Sequence, residues 1–238
     1  MASLPAQYTV TQRVCALNNF GVTSLNIGEV SSAYGYFAEA LETVEELILL
    51  LQQQADINED LECSKVGYCF SYSPSESRSL EGYAKKQDAV YICDRPLTVS
   101  LVGPCSSEHS QQISFLCSLL LFNMALLHHS LGLYDESSTS LEKAEIFYET
   151  CVLVGKTDNK GTVHDDQSVL IVGSAINNMA QLALEHGNIK VVRHYLKQLG
   201  IICRRQSFAN GSVLYQNEWR NIFSNVLLRD GLNVARAA

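Results

Sequence analysis

Leu121-Phe122-Asn123-Met124-Ala125-Leu126-Leu127-His128-His129, with Gly132 three residues on, decides how this chain is read. Its asparagine, large apolar residue and small residue recur as Asn19-Phe20-Gly21 and as Asn178-Met179-Ala180. Seven residues after the last member of each triplet comes a glycine: Gly28, Gly132 and Gly187. Five residues beyond each glycine stands Ala33, Ser137 or Val192, then a large apolar residue (Phe37, Leu141, Leu196), then Ala40, Ala144 or Leu199. A pattern that returns at constant internal spacing marks a repeated supersecondary unit.

The spacing predicts helix-turn-helix hairpins. Two amphipathic helices cross closely only where one presents a small residue, the role expected of Gly21, Ala125 and Ala180. Phe37, Leu141 and Leu196 then fill the space between the helices. A glycine that accepts a left-handed backbone ends the first helix of each pair.

These residues resemble the motif of the tetratricopeptide repeat (TPR) family: an apolar-Gly/Ala pair in helix A, a turn glycine, and Ala, aromatic and Ala in helix B. The chain departs from it where a proline usually closes helix B; Glu45, Glu149 and Arg204 stand there instead. Extra helical turns are expected at Leu41–Ile48 and Glu145–Tyr148. The glycines lie 104 and then 55 residues apart, so the repeats are not in tandem. Leu121–His129, Asp94-Arg95-Pro96-Leu97 and the tail Asn233–Ala238 are similar to an expanded group of TPR-like proteins from diatoms, a likeness that implies an architecture and no particular reaction. The implied fold is mainly all-α, an α-solenoid of TPR-like hairpins with a small β-hairpin insert. It would form one domain over 1–238: repeat 1 at about 13–54, the β insert at 55–112, repeat 2 at 113–154, repeat 3 at 166–206 and a C-terminal segment at 207–238.

Composition agrees with a packed chain: 47% of residues are hydrophobic and 18% charged. A net charge of −8 disfavours a generic nucleic-acid binder, which needs a local surplus of Lys and Arg on phosphates. The N-terminus, Met1 to Gln7, lacks a basic stretch followed by an apolar run, so an intracellular protein, cytoplasmic or nuclear, is expected. The apolar run Ile113–Leu127 is shorter than the roughly 20 residues a membrane span requires, and it carries Ser114, Ser118 and Asn123; it reads as a buried helix. None of the eight cysteines forms a C-x-x-C pair, which suits reduced thiols used as small hydrophobes.

The helical period breaks within residues 55–112. Val66–Tyr72 and Ala89–Cys93 are β-branched and aromatic around the polar Ser73–Ser79, and predict two strands about a loop. Gly155–Gly161 is a polar break between the second and third hairpins. Trp219–Leu228 reads as either strand or helix, and the same resemblance favours a strand pairing with the insert.

In a TPR-like stack the A helices line a concave groove, and Asn19, Asn123 and Asn178 take the same groove-facing position in each repeat. A carboxamide both donates and accepts, so a ladder of three could grip the backbone of an extended peptide, the role the family gives this position. The bland alternative is asparagine used for packing within the molecule. The same alignment puts Asn18, Val22, Leu25, Phe122, Leu126, His129, Asn177, Gln181 and Leu184 on the groove. That lining holds no Lys or Arg, which argues against clamping an acidic tail and for a weakly polar segment.

No nucleophile-base pair, phosphate-binding glycine loop or paired carboxylates stand out, so no enzyme, cofactor or metal is expected. His128 and His129 point about 100° apart on a helix and do not readily share an ion. A cysteine hydrolase would need a thiolate beside a histidine, a proximity sequence does not reveal. The resulting expectation is a protein-interaction scaffold or adaptor that holds a peptide segment or an assembly subunit. The alternative is an RNA-associated adaptor using the basic C-terminal third. Residues 37–62 hold eight acids and no Lys or Arg, whereas 190–236 hold eight bases and two acids, so copies could also associate head to tail. Two observations separate these readings: whether the groove is open or filled by residues 65–101, and whether binding falls steeply with salt.

Overall fold

The computed structural model describes residues 6–57, 67–74, 93–105, 109–156, 166–205, 222 and 224–226. These form α1 (Ala6–Asn26), α2 (Val30–Ile57), β1 (Gly67–Pro74), β2 (Leu97–Cys105), α3 (His109–Tyr134), α4 (Ser138–Gly155), α5 (Asp166–Glu185) and α6 (Ile189–Arg205). The fold is mostly helical with one two-stranded antiparallel sheet. Each helix packs on the one before it, and α1 also touches α3 while α3 touches α5. The first helices of the three hairpins are thus neighbours, and their shared side receives the sheet: β2 packs on α1 and β1 on α3.

Close approach within the first hairpin depends on a missing side chain. A Cβ added at Gly21 would lie 2.5 Å from the Phe37 ring, which is fully buried, so the ring rests on bare α1 backbone. The turn glycines behave as expected at two of three positions: Gly28 has φ 82° and Gly187 φ 67°. In both turns the next residue donates back across the helix end, Glu29 N to Ser24 O at 2.8 Å and Asn188 N to Ala183 O at 2.8 Å. The glycine itself bonds three residues back, which closes the helix by satisfying its last carbonyls.

The second hairpin departs from the constant spacing. Gly132 is helical, and the left-handed residue is Glu136, at φ 51°. Ser137 N donates to Gly132 O at 3.0 Å, so the same closure is built four residues later. Ser137 then caps α4 by accepting from Ser140 N. α3 gains about a turn at its end, and α4 begins about a turn later. Leu141 therefore lies against Gly132 close to the turn, and the fully buried aromatic of α4 is Tyr148, seven residues beyond Leu141.

The insert differs from its sequence reading in one strand. β1 begins near the expected point, but Cys93–Pro96 has no regular structure and the second strand starts at Leu97; residues 89–92 lie outside the described residues. The governing signal is the alternation after Pro96, with Leu97 and Val99 buried and Ser100 exposed. β2 runs antiparallel to β1, pairing Leu97 with Pro74, Val99 with Tyr72 and Ser100 with Ser71, and a bulge falls between Cys69 and Phe70. Phe70 stacks on Phe115 of α3 at 5.4 Å between ring centres and fastens the sheet to the helices. The C-terminal segment was expected as a strand; residues 222 and 224–226 are helical instead, with Ile222 and Val226 packed into the core, and the rest of 207–238 lies outside the described residues.

Gln111–Tyr134 is long and apolar enough to cross a membrane by composition, yet 78% of its most apolar window is buried. Phe70, Cys93, Leu97 and Val99 belong to the same continuous core as the helices.

The two kinds of turn make a paired prediction. Glu136→Gly relieves a left-handed non-glycine and should raise stability by about 0.5–1 kcal/mol, while Gly28→Ala should lower it by about 1 kcal/mol. Urea denaturation of both variants checks the pair; equal effects of one sign would contradict the assignment of the turns.

Candidate functional site

The side of the fold shared by α1, α3 and α5 brings Asn18, Asn19, Asn123, Asn177 and Asn178 onto one continuous stretch of main chain, residues 93–99. Three carboxamides each grip both the N–H and the C=O of one residue. Asn19 Nδ2 donates to Val99 O at 2.8 Å and its Oδ1 accepts from Val99 N at 2.9 Å. Asn123 does the same with Leu97, both bonds at 2.8 Å. Asn178 holds Cys93 through two bonds of 2.9 Å.

These bonds follow from strand geometry. Alternate residues of a strand direct their N–H and C=O to the same edge. Leu97 and Val99 turn theirs away from β1, towards the helices. Buried main-chain groups need partners, and the carboxamides act as a surrogate strand along that edge. Pro96, which has no N–H to offer, falls between gripped positions.

The remaining hydrogens of the ladder are also used. Asn123 Nδ2 donates its second hydrogen to Asn18 Oδ1 at 2.8 Å, and Asn18 Nδ2 reaches Leu97 O at 2.9 Å. Asn225 Nδ2 donates to Asn177 Oδ1 at 2.6 Å, and Asn177 Nδ2 approaches Cys93 Sγ at 3.8 Å. Asn178 Nδ2 also donates to the Tyr148 hydroxyl at 3.0 Å. The same hydroxyl lies 3.3 Å from the ring nitrogen Nδ1 of His129, a neutral imidazole. Complete burial holds its pKa down to about 4, and burial pushes the Tyr148 hydroxyl upwards against the opposing effect of the Asn178 bond.

The other groove positions named from sequence, Val22, Phe122, Leu126 and Gln181, are buried as well. Gln181 Nε2 bonds Glu185 Oε1 on its own helix at 2.9 Å. The side chains expected to line a groove thus face the chain's own segment 93–99, which is the filled alternative of the two that the sequence leaves open. Tyr148 and Asn225 were missed as members of the network. The shift of the second hairpin hid the first, and the second lies in a segment read as a strand. The occupant itself was signalled by Leu97 and Val99 in alternation directly after Pro96.

Cys15, Cys117, Cys151 and Cys203 have little thiolate character. Burial pushes Cys15 up to about 12 and Cys117 and Cys203 up to about 11. Cys151, also pushed upwards by burial, donates to Ser118 O at 3.2 Å. Among the described residues, no three of His, Cys, Asp and Glu converge to hold a metal ion. His128 stacks on Phe147 and meets the edge of Tyr34, which makes it a packing residue. No family model matches the sequence, and no curated protein or solved structure does so either.

Two predictions follow from the bonding. Asn123→Ala leaves the buried Leu97 N–H unpaired, while Leu97 O keeps Asn18, and Asn178→Ala removes both bonds to Cys93. Each should cost about 2–4 kcal/mol, more than Asn19→Ala at a half-buried position; denaturant titration checks the order, and faster amide exchange at Leu97 should accompany the Asn123 change. The second concerns pH. Folded His129 takes up a proton only near pH 4, whereas the unfolded imidazole does so near 6.5, so the unfolded state binds more protons below 6.5 and stability falls with pH. The loss between pH 7.5 and pH 5 should be about 2 kcal/mol, and His129→Gln should remove most of it. His128, lowered in the same direction by burial and by Lys143, accounts for a residual slope. An unaltered slope in the variant would exclude His129 as the group responsible.

Proposed function

We propose that this chain is a protein-interaction scaffold, a TPR-like α-solenoid that uses its concave face on itself and offers its outer helical faces to a partner. One observation carries the reading: residues 93–99 fill the groove through three doubly bonded carboxamides. A tethered segment acts at an effective concentration of about millimolar. A free peptide offering the same bonds at micromolar concentration does not compete with it.

The outer faces keep large apolar side chains in solvent. Ile146 and Leu153 lie seven residues apart on the same side of α4, 60% and 72% exposed, and Leu49 and Ile201 stand out on α2 and α6. Nothing in the folding of the chain requires these positions to be apolar. The support is thus twofold: a closed groove, and helix faces whose composition suits contact with another protein.

The test uses two probes. A labelled peptide spanning residues 92–101 is titrated into the wild-type protein, and a photo-crosslinking amino acid is placed at Ile146 or Leu153 for capture from native extract. The expected result is no peptide binding and adducts from the outer positions. Saturable peptide binding by the wild type, lost in Asn123→Ala, would return the partner site to the groove and overturn the outer-face reading.

A further inference from the structure

The outer faces of α2 and α6 carry opposite charge in the same register. On α2, Glu39, Glu42, Glu46 and Leu49 are exposed along one stripe. On α6, Lys190, His194, Lys197 and Ile201 form the corresponding stripe, continued by Arg204. Counting back from Leu49, the acids stand at three, seven and ten residues; counting back from Ile201, the lysines and the histidine stand at four, seven and eleven. Both series keep to one side of a helix. Laid side by side in parallel, the two helices match Leu49 with Ile201, Glu46 with Lys197, Glu42 with His194 and Glu39 with Lys190.

The basic stripe makes no ion pair inside the molecule among the described residues, and the acidic one is engaged in part. α2 has no Lys or Arg, and α6 has no Asp or Glu. Arg13 of α1 pairs with Glu39 at 2.8 Å and approaches Glu46 at 3.8 Å. Among the described residues, Glu42 and Glu45 have no ion pair, and neither do Lys190, Lys197 and Arg204. Each stripe also carries an apolar residue in solvent, Leu49 at 57% and Ile201 at 40% exposed. α2 belongs to the first hairpin and α6 to the last, so the complementary faces lie on opposite ends of the helical order.

Building on the outer-face reading of function, we infer that the partner of these faces is a second copy of this chain, with α6 of one copy docked in parallel along α2 of the next. Such a contact joins two different surfaces, so it leaves a free face at each end and propagates head to tail, into a ring if the rotation closes and an open chain if it does not. Exposed ion pairs contribute little individually and are screened by salt. The Leu49–Ile201 contact supplies the part of the affinity that salt does not remove.

Sedimentation velocity on the full chain over a concentration series tests this. In low salt the weight-average mass should rise with concentration, and in about 0.5 M salt the species should shift towards monomer. Glu39→Lys with Glu46→Lys, and Lys190→Glu with Lys197→Glu, should each abolish association, and mixing the two double variants should restore it. Leu49→Ser, which leaves the charge unchanged, should weaken association about tenfold, while Ile146→Ser on α4 should not. All substituted side chains are exposed or form no internal ion pair, and circular dichroism confirms the fold of each variant. A monomer at every concentration in low salt overturns the inference, as does association indifferent to Leu49→Ser. Binding of a labelled single-stranded RNA that Lys190→Glu with Lys197→Glu abolishes, with the protein still monomeric, overturns it in favour of RNA. In either case, photo-adducts from Ile146 or Leu153 to another protein would leave the outer-face function standing.

Discussion

A strand edge buried against helices has to find partners for its main-chain groups, and in this protein asparagine carboxamides supply them. Leu97 and Val99 cannot be withdrawn from water with their N–H and C=O groups unpaired, since each orphaned group would cost about 1–3 kcal/mol. Asn123 and Asn19 remove that cost for β2, and Asn178 does so for Cys93 in the irregular stretch before it. The sheet has only two strands and would be marginal alone. Joined to the helices along its second edge and through Phe70 on Phe115, it becomes part of one core. The helices gain as well, because α1, α3 and α5 are tied through a common ligand in addition to their direct contacts.

The carboxamides address the main chain, so they place few demands on the side chains they hold. Arg95 and Thr98 are half-buried and no carboxamide holds them, although Thr98 Oγ1 donates to Ser73 O across the sheet. Cys93, Leu97 and Val99 need an N–H and an apolar side chain, which excludes proline at those three positions while allowing it at Pro96. Recognition of this kind is tolerant of sequence but strict about extension and spacing. The network behind it is less tolerant: Asn178, Tyr148 and His129 form a chain of buried bonds.

Much of this was legible in the amino-acid order. The recurrence of Asn, large apolar and small residues located three A helices, and the shared register of Asn19, Asn123 and Asn178 identified the side chains that meet on one segment. Asn18 and Asn177 were legible by the same alignment. Two features were not. A turn closed on Glu136 requires a left-handed glutamate, which no local preference announces, so Gly132 was taken for the turn and Leu141 for the buried residue that Tyr148 provides. The choice between an open groove and one filled by residues 65–101 also stayed open, because a ladder of carboxamides has the same sequence signature whether its ligand is foreign or internal. That choice is made by a tertiary contact between residues up to 85 positions apart.

Those separations bear on how the chain assembles as it is synthesised. Residues 93–99 emerge after Asn18 and Asn19 but before Asn123 and Asn178, and the clamped pairs span 80, 26 and 85 residues. Until α5 has left the ribosome, the segment can be held at Val99 and Leu97 but not at Cys93. Contacts of such long range form slowly, because loop-closure entropy is lost before the contacts can repay it. The third hairpin is therefore the closing event of folding, and a nascent chain halted before residue 178 presents a half-gripped strand with apolar Leu97 and Val99 incompletely covered.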